Sequence, residues 1–279
     1  MPELPEVETW VRRLREGGPN VPPVLGRRFA HVEVHLPRLV VHPEAAAFVR
    51  RLTGQRIHAL GRRGKFLLVY LDRGILLLHL GMSGTFRFLR AGEPLPRHAH
   101  VVFHLEHGYR WVFQDPRTFG RVAWYAHPWK PLKALGPEPL NPDFTWQDLA
   151  QRLRRRRARI KGLLLDQRFL AGVGNIYADE ALHRAGLHPQ TPAHVLDASH
   201  VRRLWQALRQ VLYLGIRHRG ATFDAVYPDG HFQNHFLVYG REKRPCYTCG
   251  TAIQRCVVAG RSAYFCPQCQ PYREQAGWA

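Results

Sequence analysis

The spacing of the cysteines constrains this chain more than any other feature of its sequence. Cys246 and Cys249 form one C-x2-C pair, Cys266 and Cys269 form a second, and sixteen residues separate the two pairs. Four thiolates can complete a tetrahedral shell around one structural Zn²⁺ ion, and the metal supplies folding free energy that a segment of about 25 residues lacks. The spacing therefore predicts a C-terminal zinc finger with these four ligands.

Two disulfides or a single redox pair are the alternative interpretations of these cysteines. An intracellular chain disfavours structural disulfides, and a redox motif needs only one pair. The fifth cysteine, Cys256, is expected to be a small buried hydrophobic residue. Between the pairs, the segment "VVAGRSAYF" permits a tight turn at Gly260, which places Arg261 near a hairpin tip. An arginine in that position is suited to binding a phosphate, and the alternative is that it is simply solvated.

The net charge points to a polyanionic partner. Lys and Arg number 41 against 21 acidic residues, which gives a formal charge of +20. Such a charge favours nucleic acid through counterion release, although a compositional bias is the alternative. The longest apolar runs, "FLLVYL" and "ILLLHL", fall short of the ~20 residues that a bilayer requires, and "MPELPEVET" lacks the apolar region of a secretory signal. We expect a cytoplasmic, nucleoid-associated monomer.

Residues 29 to 126 have the pattern of short strands separated by Gly, Pro and charged turns, which predicts a β-sandwich. The strand-like segments are "FAHVEVHL", "KFLLVYL", "GILLLHL", "GTFRFLR", "HVVFHL", "YRWVFQ" and "RVAWYA". Apolar and polar residues alternate over 85–88 and 109–113, as expected where one face is buried and the other is wet.

The pattern changes after residues 127–144, a stretch with five prolines that is the best domain boundary. Downstream, apolar residues recur at helical spacing between Val201 and Leu212. The segment "WQDLAQRLRRRRARIKGLLLD" is predicted to be one helix with a basic cluster. The segment "GVGNIYADEALHRAG" predicts a glycine-opened turn and a second helix that stops at Gly186.

The N-terminal segment "PELPEVET" could by itself merely open a helix, because proline and acidic residues favour the first turn. It is accompanied, in order along nearly the whole chain, by "GRRGKFLL", "HLGMSG", "DPRTFG", "GVGNIYADE", "FQNHFLVYGR" and the four-cysteine segment. In this combination the sequence resembles the bacterial formamidopyrimidine-DNA glycosylase family.

The resemblance implies an α+β multidomain fold with DNA bound in a cleft. The expected domains are an N-terminal catalytic antiparallel β-sandwich over 1–135, a helix-two-turn-helix DNA-binding domain over 136–237 and a C-terminal zinc finger over 238–272. The implied activity is that of a bifunctional DNA glycosylase and AP lyase of base excision repair. It would remove oxidised purines, such as 8-oxoguanine and formamidopyrimidines, and its partner is double-stranded DNA containing oxidised bases or abasic sites.

The resemblance also implies the catalytic residues. Removal of the initiator Met would make Pro2 the amino terminus and the nucleophile, which forms an iminium with deoxyribose C1′ and leads to β,δ-elimination. Glu3 is implied as the acid and Glu6 as a supporting carboxylate. Lys65 would donate a proton in β-elimination, although an exposed lysine at a strand start is the alternative. Arg261 would grip the phosphate of the extruded nucleotide and assist δ-elimination.

A glycosylase must extrude its target nucleotide from the duplex, so further side chains must fill the gap and hold the backbone. The DNA-contacting residues implied by the resemblance are Met82, His98, Arg117, Phe119, Arg157, Lys161 and Asn175. Without the resemblance, Met82 and Phe119 would be ordinary core residues, Asn175 a helix N-cap and Arg157 part of a solvated helix face.

Two departures from the family pattern bear on specificity. Residues 219–230 take the place of the lesion-recognition loop but are shorter, and "RHAH" around His98 lacks the commoner lysine, so lesion preference stays open. Endonuclease VIII, which acts on oxidised pyrimidines, is the nearest alternative, and Leu4 with the following "VET" disfavours it. A non-catalytic zinc-finger DNA binder, or an RNA-binding protein, would explain neither Pro2 nor Glu3.

Overall fold

The computed structural model of the 279-residue chain describes residues 2–127, 129–222 and 230–274. The chain forms two compact units, one within residues 2–133 and one within 134–221 and 230–274. The helical part and the finger therefore belong to one unit, and the three domain boundaries given above stay predictions. Within the described ranges, no helix is both long and apolar enough to cross a membrane.

The N-terminal unit is built on two sheets with orders β1-β7-β8-β6 and β2-β9-β5-β4-β3, antiparallel throughout except for the β2–β9 pair. This arrangement confirms the predicted antiparallel β domain. Its elements are α1 (Leu4–Glu16), β1 (Phe29–Val34), β2 (Val40–His42), α2 (Ala45–Leu52), β3 (Ile57–Arg63), β4 (Phe66–Leu71), β5 (Ile75–His79), β6 (Thr85–Arg90), β7 (Ala99–Leu105), β8 (Tyr109–Gln114), β9 (Arg121–Tyr125) and α3 (Trp129–Leu132).

An aromatic cluster centred on Trp111 forms much of this unit's core. The Trp111 ring lies 5.2 Å from the rings of both Phe86 and Phe103 and stacks on Phe88 at 6.1 Å. Phe86 in turn meets Trp10 of α1 edge-on at 5.1 Å. Since α1 packs against β3 and β4 as well, the core fixes the helix whose first turn carries the predicted catalytic residues.

The second unit contains the helices and the finger hairpin. Its elements are α4 (Trp146–Leu153), α5 (Ile160–Leu165), α6 (Asn175–Ala185), α7 (Ala198–Arg217), β10 (Gln254–Val258) and β11 (Arg261–Phe265). Helices α6 and α7 approach closely at Gly215, where a Cβ atom would lie 2.5 Å from the Tyr177 ring. As predicted, α6 ends at Gly186, which adopts the left-handed conformation with φ 68°.

The sequence pattern was misleading at three places. The single helix predicted over "WQDLAQRLRRRRARIKGLLLD" is wrong, because α4 ends at Leu153 and α5 begins at Ile160. Like charges three and four residues apart, such as those of Arg152 and Arg156, disfavour continuing the helix. Helix α2 and strand β3 were not predicted at all. The alternation expected over 109–113 is incomplete, because Val112 is also buried, flanked across the sheet by Arg87 and Val102.

We expect Trp111→Ala to lower the free energy of unfolding by about 3–5 kcal/mol, because it leaves a cavity between the aromatic rings. Urea unfolding of the full chain measures this. The matched control is Val41→Ala, at a position that is 53% exposed, which should change the value by less than about 0.5 kcal/mol. Equal effects of the two substitutions would contradict a core centred on Trp111.

Candidate active site and nucleic-acid interface

The start of α1 buries two carboxylates. Glu3 occupies the N-cap position, and its backbone N–H donates to Glu6 Oε2 at 2.8 Å. Glu3 is 1% exposed and Glu6 is 3% exposed. Pro5 lies in the first helical turn, so the helix-opening interpretation of these residues also holds. Because Pro2 directly precedes Glu3, its nitrogen lies one residue from a buried carboxyl group.

The turn between β3 and β4 is fixed against α1 by an arginine. Arg62 Nε lies 3.2 Å from Glu8 Oε2 of α1, and Arg62 Nη1 donates to the Gly64 carbonyl at 3.1 Å. The next residue, Lys65, is 5% exposed. The alternative of an exposed lysine at the start of a strand is therefore wrong. The unit brings a buried ammonium group to a turn that is tied to the helix of Glu3 and Glu6.

His79 accompanies Lys65, and sequence reasoning did not single it out. Burial, with smaller contributions from the positive charges of Lys65 and Arg121, lowers the pKa of His79 to about 4. Its Nδ1 accepts a hydrogen bond from the Gly81 N–H at 3.2 Å, and its ring lies 4.9 Å from the Phe66 ring. At neutral pH the imidazole is uncharged, and its proton is on Nε2. Its position at the end of β5, in "HLGMSG", was the available signal.

Asp115 joins two of the loops singled out in the sequence. Its fully buried carboxylate accepts from Ser83 Oγ at 2.5 Å and from the Gly120 N–H at 2.6 Å. The Arg117 N–H donates to Ser83 Oγ at 3.1 Å. The two loops also touch at Gly81, where a Cβ atom would lie 2.5 Å from the Gly120 nitrogen. Glycine is required there by close approach as well as by a φ of 61°.

These contacts hold the predicted wedge side chains. Phe119 is 49% exposed, which shows that the core interpretation of this residue is wrong. The Arg117 guanidinium lies over the Phe119 ring, 5.2 Å from its centroid. Met82 is half-buried in the other loop. Asp115 was missed by sequence reasoning, although an Asp followed by Pro is a turn signal that could have drawn attention to it.

His98 belongs to the same edge of the N-terminal unit. It is exposed and has a φ of 63°, and its carbonyl accepts from the Asp115 N–H at 3.1 Å. Nearby, His100 Nε2 lies 2.8 Å from the Asp115 carbonyl oxygen. The main chain of Asp115 therefore connects the His98 loop to the loops that its carboxylate joins.

In the second unit, Asn175 is the first residue of α6. The N-cap is Gly174, with extended backbone, so the interpretation of Asn175 as the cap is wrong. Asn175 Oδ1 is buried and has no hydrogen-bond partner within the described part of the chain. A helix N-terminus with a polar side chain beside it is a favourable place for an anion.

Two of the exposed arginines of this unit, Arg157 and Arg261, were predicted to contact DNA. Arg157 is exposed between α4 and α5. Arg261 is exposed at the start of β11 and pairs with Val258 across a two-residue turn. Ala259 and Gly260 both have positive φ values, 49° and 70°, which is the conformation of a type I′ hairpin turn. The predicted hairpin tip is therefore confirmed.

The prediction that Lys161 contacts DNA is wrong. Its side chain is completely buried and forms an ion pair with Asp179, with Nζ 2.7 Å from Oδ1. The same ammonium donates to the Ser262 carbonyl at 2.5 Å, and the other Asp179 oxygen accepts from the Tyr264 N–H at 3.0 Å. A fully paired interior lysine cannot reach a phosphate. The family resemblance had assigned Lys161 to DNA contact, and no local sequence pattern indicated its buried partner.

The neighbouring carboxylate of α6, Glu180, is also buried. It accepts hydrogen bonds from the consecutive backbone N–H groups of Leu237, Val238 and Tyr239, at distances from 2.9 to 3.0 Å. Burial raises the pKa of Glu180, and these three donors oppose the shift. The segment "FLVYGR" is therefore anchored on α6, as is the finger strand β11.

The four predicted zinc ligands form one cluster. The sulfur atoms of Cys246, Cys249, Cys266 and Cys269 all lie within 4.8 Å of one another, with separations of 3.4, 3.5 and 3.9 Å among them. Tetrahedral Zn²⁺ with Zn–S distances of about 2.3 Å places sulfurs about 3.8 Å apart. His183 Nε2 of α6 lies 3.6 Å from Cys246 Sγ. The donor set and its dimensions fit zinc.

The protonation of the free thiols agrees with a site built for a cation. Hydrogen bonds from the Thr251 side chain and backbone lower the pKa of Cys249 to about 6. Burial and the neighbouring sulfurs raise the pKa of Cys269, and a divalent cation would reverse this. Cys256 lies outside the cluster, is partly buried, and has a pKa raised by burial. It is a neutral thiol, as expected of a packing residue.

Residues 219–230 are the segment that was predicted to be a shorter lesion-recognition loop. Of residues 219–230, those at 223–229 lie outside the described residues. The flanking backbone is joined, because the Phe232 N–H donates to the Gly220 carbonyl at 2.9 Å.

Three domain families match along the chain. They are the formamidopyrimidine-DNA glycosylase N-terminal domain over residues 1–122, the formamidopyrimidine-DNA glycosylase H2TH domain over 135–226, and the zinc finger found in FPG and IleRS over 244–271. Formamidopyrimidine-DNA glycosylases of Desulforamulus reducens and Pelotomaculum thermopropionicum are 43% and 44% identical over 97% of this chain and 99% of theirs. The chain belongs to the formamidopyrimidine-DNA glycosylase family.

Solved structures of the family member from Lactococcus lactis have the same fold. Its complex with abasic-site DNA is similar with a TM-score of 0.89 and 33% identity over 96% of this chain and 99% of that one. Its complex with DNA that contains an oxidised pyrimidine gives a TM-score of 0.90, also at 33% identity, over 97% of this chain and all of that one. A mutant of the same protein was crystallised with DNA that contains Fapy-dG.

The buried imidazole predicts a pH dependence of stability. The folded-state pKa of His79 is about 4, against an ordinary value of 6.5, so the unfolded state binds the extra proton between these values. The free energy of unfolding should therefore fall as the pH falls from about 6.5 to 4, with up to about 1.4 kcal/mol per pH unit from this residue.

Urea unfolding at a series of pH values, with His79→Gln beside the wild type, measures this contribution. The variant should show a shallower slope within that window and no difference in slope above it. His127→Gln, at an exposed position, is the matched control. Parallel pH profiles for the wild type and His79→Gln would show that His79 is not the group responsible.

We expect one zinc ion per chain, held by the four clustered thiolates. Cys249→Ser should lose the metal, whereas Cys256→Ser should retain it, because Cys256 lies outside the cluster. Elemental analysis of the purified proteins measures zinc content. Chelation should unfold the finger and abolish DNA binding, since metal binding and folding are coupled. Full DNA binding by metal-free protein would argue against this role of the finger.

Proposed function

We propose that this chain is a bifunctional DNA glycosylase and AP lyase that removes oxidised purines from duplex DNA. The observation that carries the proposal is the group at the start of α1. There the Pro2 nitrogen is followed by the buried carboxyl groups of Glu3 and Glu6, on a helix tied through Arg62 to the turn of the buried Lys65. Membership of the glycosylase family supports the same conclusion.

Removal of Met1 turns Pro2 into a secondary α-amine, a class of group whose ordinary pKa is near 8, so that a useful fraction is unprotonated at neutral pH. The amine attacks deoxyribose C1′, the bond to the base breaks, and the base leaves with the bonding electrons. Glu3 supplies a proton to the opening sugar or to the departing base. The amine loses its proton, and its lone pair forms the N=C1′ double bond as the C1′–O4′ bond of the sugar ring breaks. The resulting iminium is cationic without further protonation and serves as an electron sink.

The iminium acidifies the protons on C2′, so that loss of one of them expels the 3′ phosphate in β-elimination. We assign Lys65 as the proton donor in this step. A second elimination expels the 5′ phosphate, and we assign Arg261 to the stabilisation of that leaving anion. Glu6 positions Glu3 through the hydrogen bond from the Glu3 backbone N–H.

The remaining predicted DNA-contacting side chains supply the contacts that base extrusion requires. Met82 and Phe119 are the apolar groups that fill the space left in the stack, and Arg117 contacts the orphaned base. His98 and Arg157 bind backbone phosphates, as does Asn175 at the N-terminus of α6. The zinc ion holds the finger strands in place when bound to its four cysteines, so that Arg261 is presented at the hairpin turn.

The endonuclease VIII alternative receives less support. Relatives that are 43% and 44% identical along nearly the whole chain are formamidopyrimidine-DNA glycosylases. In a purely DNA-binding protein the buried carboxylates beside Pro2 would serve only to open α1, and such a role would not account for membership of a glycosylase family. The Lactococcus lactis protein has been crystallised with DNA containing Fapy-dG and with DNA containing an oxidised pyrimidine, so lesion range is a matter for direct measurement.

Borohydride reduction tests the nucleophile. With an 8-oxoguanine duplex, the wild type should give a covalent adduct whose peptide carries the modification on Pro2. Pro2→Gly should lower the rate of strand cutting by at least about tenfold, which corresponds to a loss of about 1.4 kcal/mol of transition-state stabilisation. The control, Pro94→Gly in an exposed loop, should behave like the wild type.

Three outcomes would change the assignment. Undiminished cutting by Pro2→Gly would remove Pro2 from the mechanism. An adduct formed only with oxidised pyrimidines would favour an endonuclease VIII activity. The absence of any adduct, with intact DNA binding, would indicate a binding protein.

A further inference from the structure

We propose that Lys161 and Asp179 are positioning residues that hold the finger strand β11 in register, and thereby place Arg261 for δ-elimination. The inference rests on the proposed function, because it deepens the role given to Arg261. It assigns to Lys161 a role that does not require contact with DNA. The ion pair of Lys161 and Asp179 binds the backbone of β11 rather than a ligand.

The pair binds two backbone groups on one side of β11. Lys161 Nζ donates to the Ser262 carbonyl at 2.5 Å, and Asp179 Oδ2 accepts from the Tyr264 N–H at 3.0 Å. In an extended strand, the carbonyl of one residue and the N–H two residues later point to the same side. The bonded carbonyl belongs to the residue that follows Arg261, so the restraint acts next to the arginine.

This side of β11 is the edge that β10 does not use. Val258 and Arg261 close the two-residue turn, which makes them a hydrogen-bonded pair, and Cys256 and Ala263 form the next one. The main-chain groups of Ser262 and Tyr264 therefore point away from β10. Within the described residues, Lys161 and Asp179 bind them in the way that a third strand would.

The charges of the pair match these groups. A buried backbone carbonyl requires a donor and a buried N–H requires an acceptor, and apolar residues would supply neither. Both side chains are fully buried, with Nζ 2.7 Å from Oδ1. A buried ion pair is weak support for stability as such, since its desolvation offsets much of its attraction, but it specifies one alignment. Here that alignment is the register of β11 against α5 and α6.

Helix α5 also touches the hairpin turn. A Cβ atom at Gly162 would lie 3.6 Å from Ala259 Cβ, an ordinary van der Waals distance, so the backbone beside Lys161 lies close to the turn that precedes Arg261. The arginine itself is exposed. Its placement is therefore set by the turn and by the strand that the ion pair holds. Displacements of about 1 Å in a catalytic group can lower a rate about 100-fold.

The test separates the two eliminations on a duplex with a single abasic site. Gel analysis resolves the β-elimination product from the β,δ-elimination product. We expect Lys161→Met and Asp179→Asn each to lower the ratio of the δ-elimination rate to the β-elimination rate by about tenfold or more, in the direction produced by Arg261→Ala. Borohydride trapping at Pro2 and zinc content should stay within about twofold of wild type.

Asp179→Asn is the milder variant, because an amide oxygen still accepts from the Tyr264 N–H while the charge of Lys161 is left uncompensated. Lys133→Met, at an exposed position, is the matched control and should keep the wild-type product ratio. An unchanged ratio in both pair variants would overturn the proposal. A parallel loss of trapping, zinc and both eliminations would also overturn it, since that would indicate general unfolding.

Failure of the proposed function itself is distinguishable. In that case the wild-type protein would give no borohydride adduct and no strand cleavage, and no product ratio would exist to compare. A wild type that performs both eliminations, with pair variants that lose only the second, is the result that supports the proposal.

Discussion

A buried carboxylate must be matched by hydrogen-bond donors, and this constraint organises the loops that carry the functional side chains. The Asp115 carboxylate accepts hydrogen bonds from the Ser83 hydroxyl and from the Gly120 N–H, in the two loops that carry Met82 and Phe119. Glu180 collects three consecutive N–H groups of the segment after residue 230. Asp179 holds Lys161 and one N–H of β11. The backbone bound by Asp115 and Glu180 is irregular, and the backbone bound by Asp179 is the free edge of strand β11. In each case one acidic side chain holds a main-chain segment in place.

The charged side chains of the proposed site divide between the surface and the interior. The chain carries a formal charge of +20, and the arginines assigned to DNA, such as Arg117, Arg157 and Arg261, are exposed. The carboxylates that organise the site, including Glu3 and Glu6, are buried. In the proposed function a phosphate backbone meets cations at the surface, while the acids assigned to proton transfer and to loop geometry lie in the interior.

The sequence predicted the elements and motifs better than it predicted the surroundings of individual side chains. Hydrophobic period identified the β domain and helix α7, the glycine-rich turn identified α6, and cysteine spacing identified the four-sulfur cluster. The family resemblance assigned the fully buried Lys161 to DNA contact, and the helical pattern continued a helix through the arginine run. The first error concerns long-range contacts, and the second concerns repulsion between like charges three and four residues apart. The partner of Lys161 lies 18 residues away on another helix and its second acceptor 101 residues away, and no local pattern encodes either distance.

The placement of the catalytic groups also divides the reaction. Pro2, Glu3 and Lys65, assigned to base removal and the first elimination, belong to the N-terminal unit, whereas Arg261 belongs to the unit with the helices and the finger. Each unit has its own compact set of internal contacts. In the proposed mechanism, the first chemical steps depend on the packing of α1 on its sheets. The last step depends on how α5 and α6 hold the finger strand, which is why we expect changes at a buried ion pair far from Pro2 in the sequence to affect that step alone.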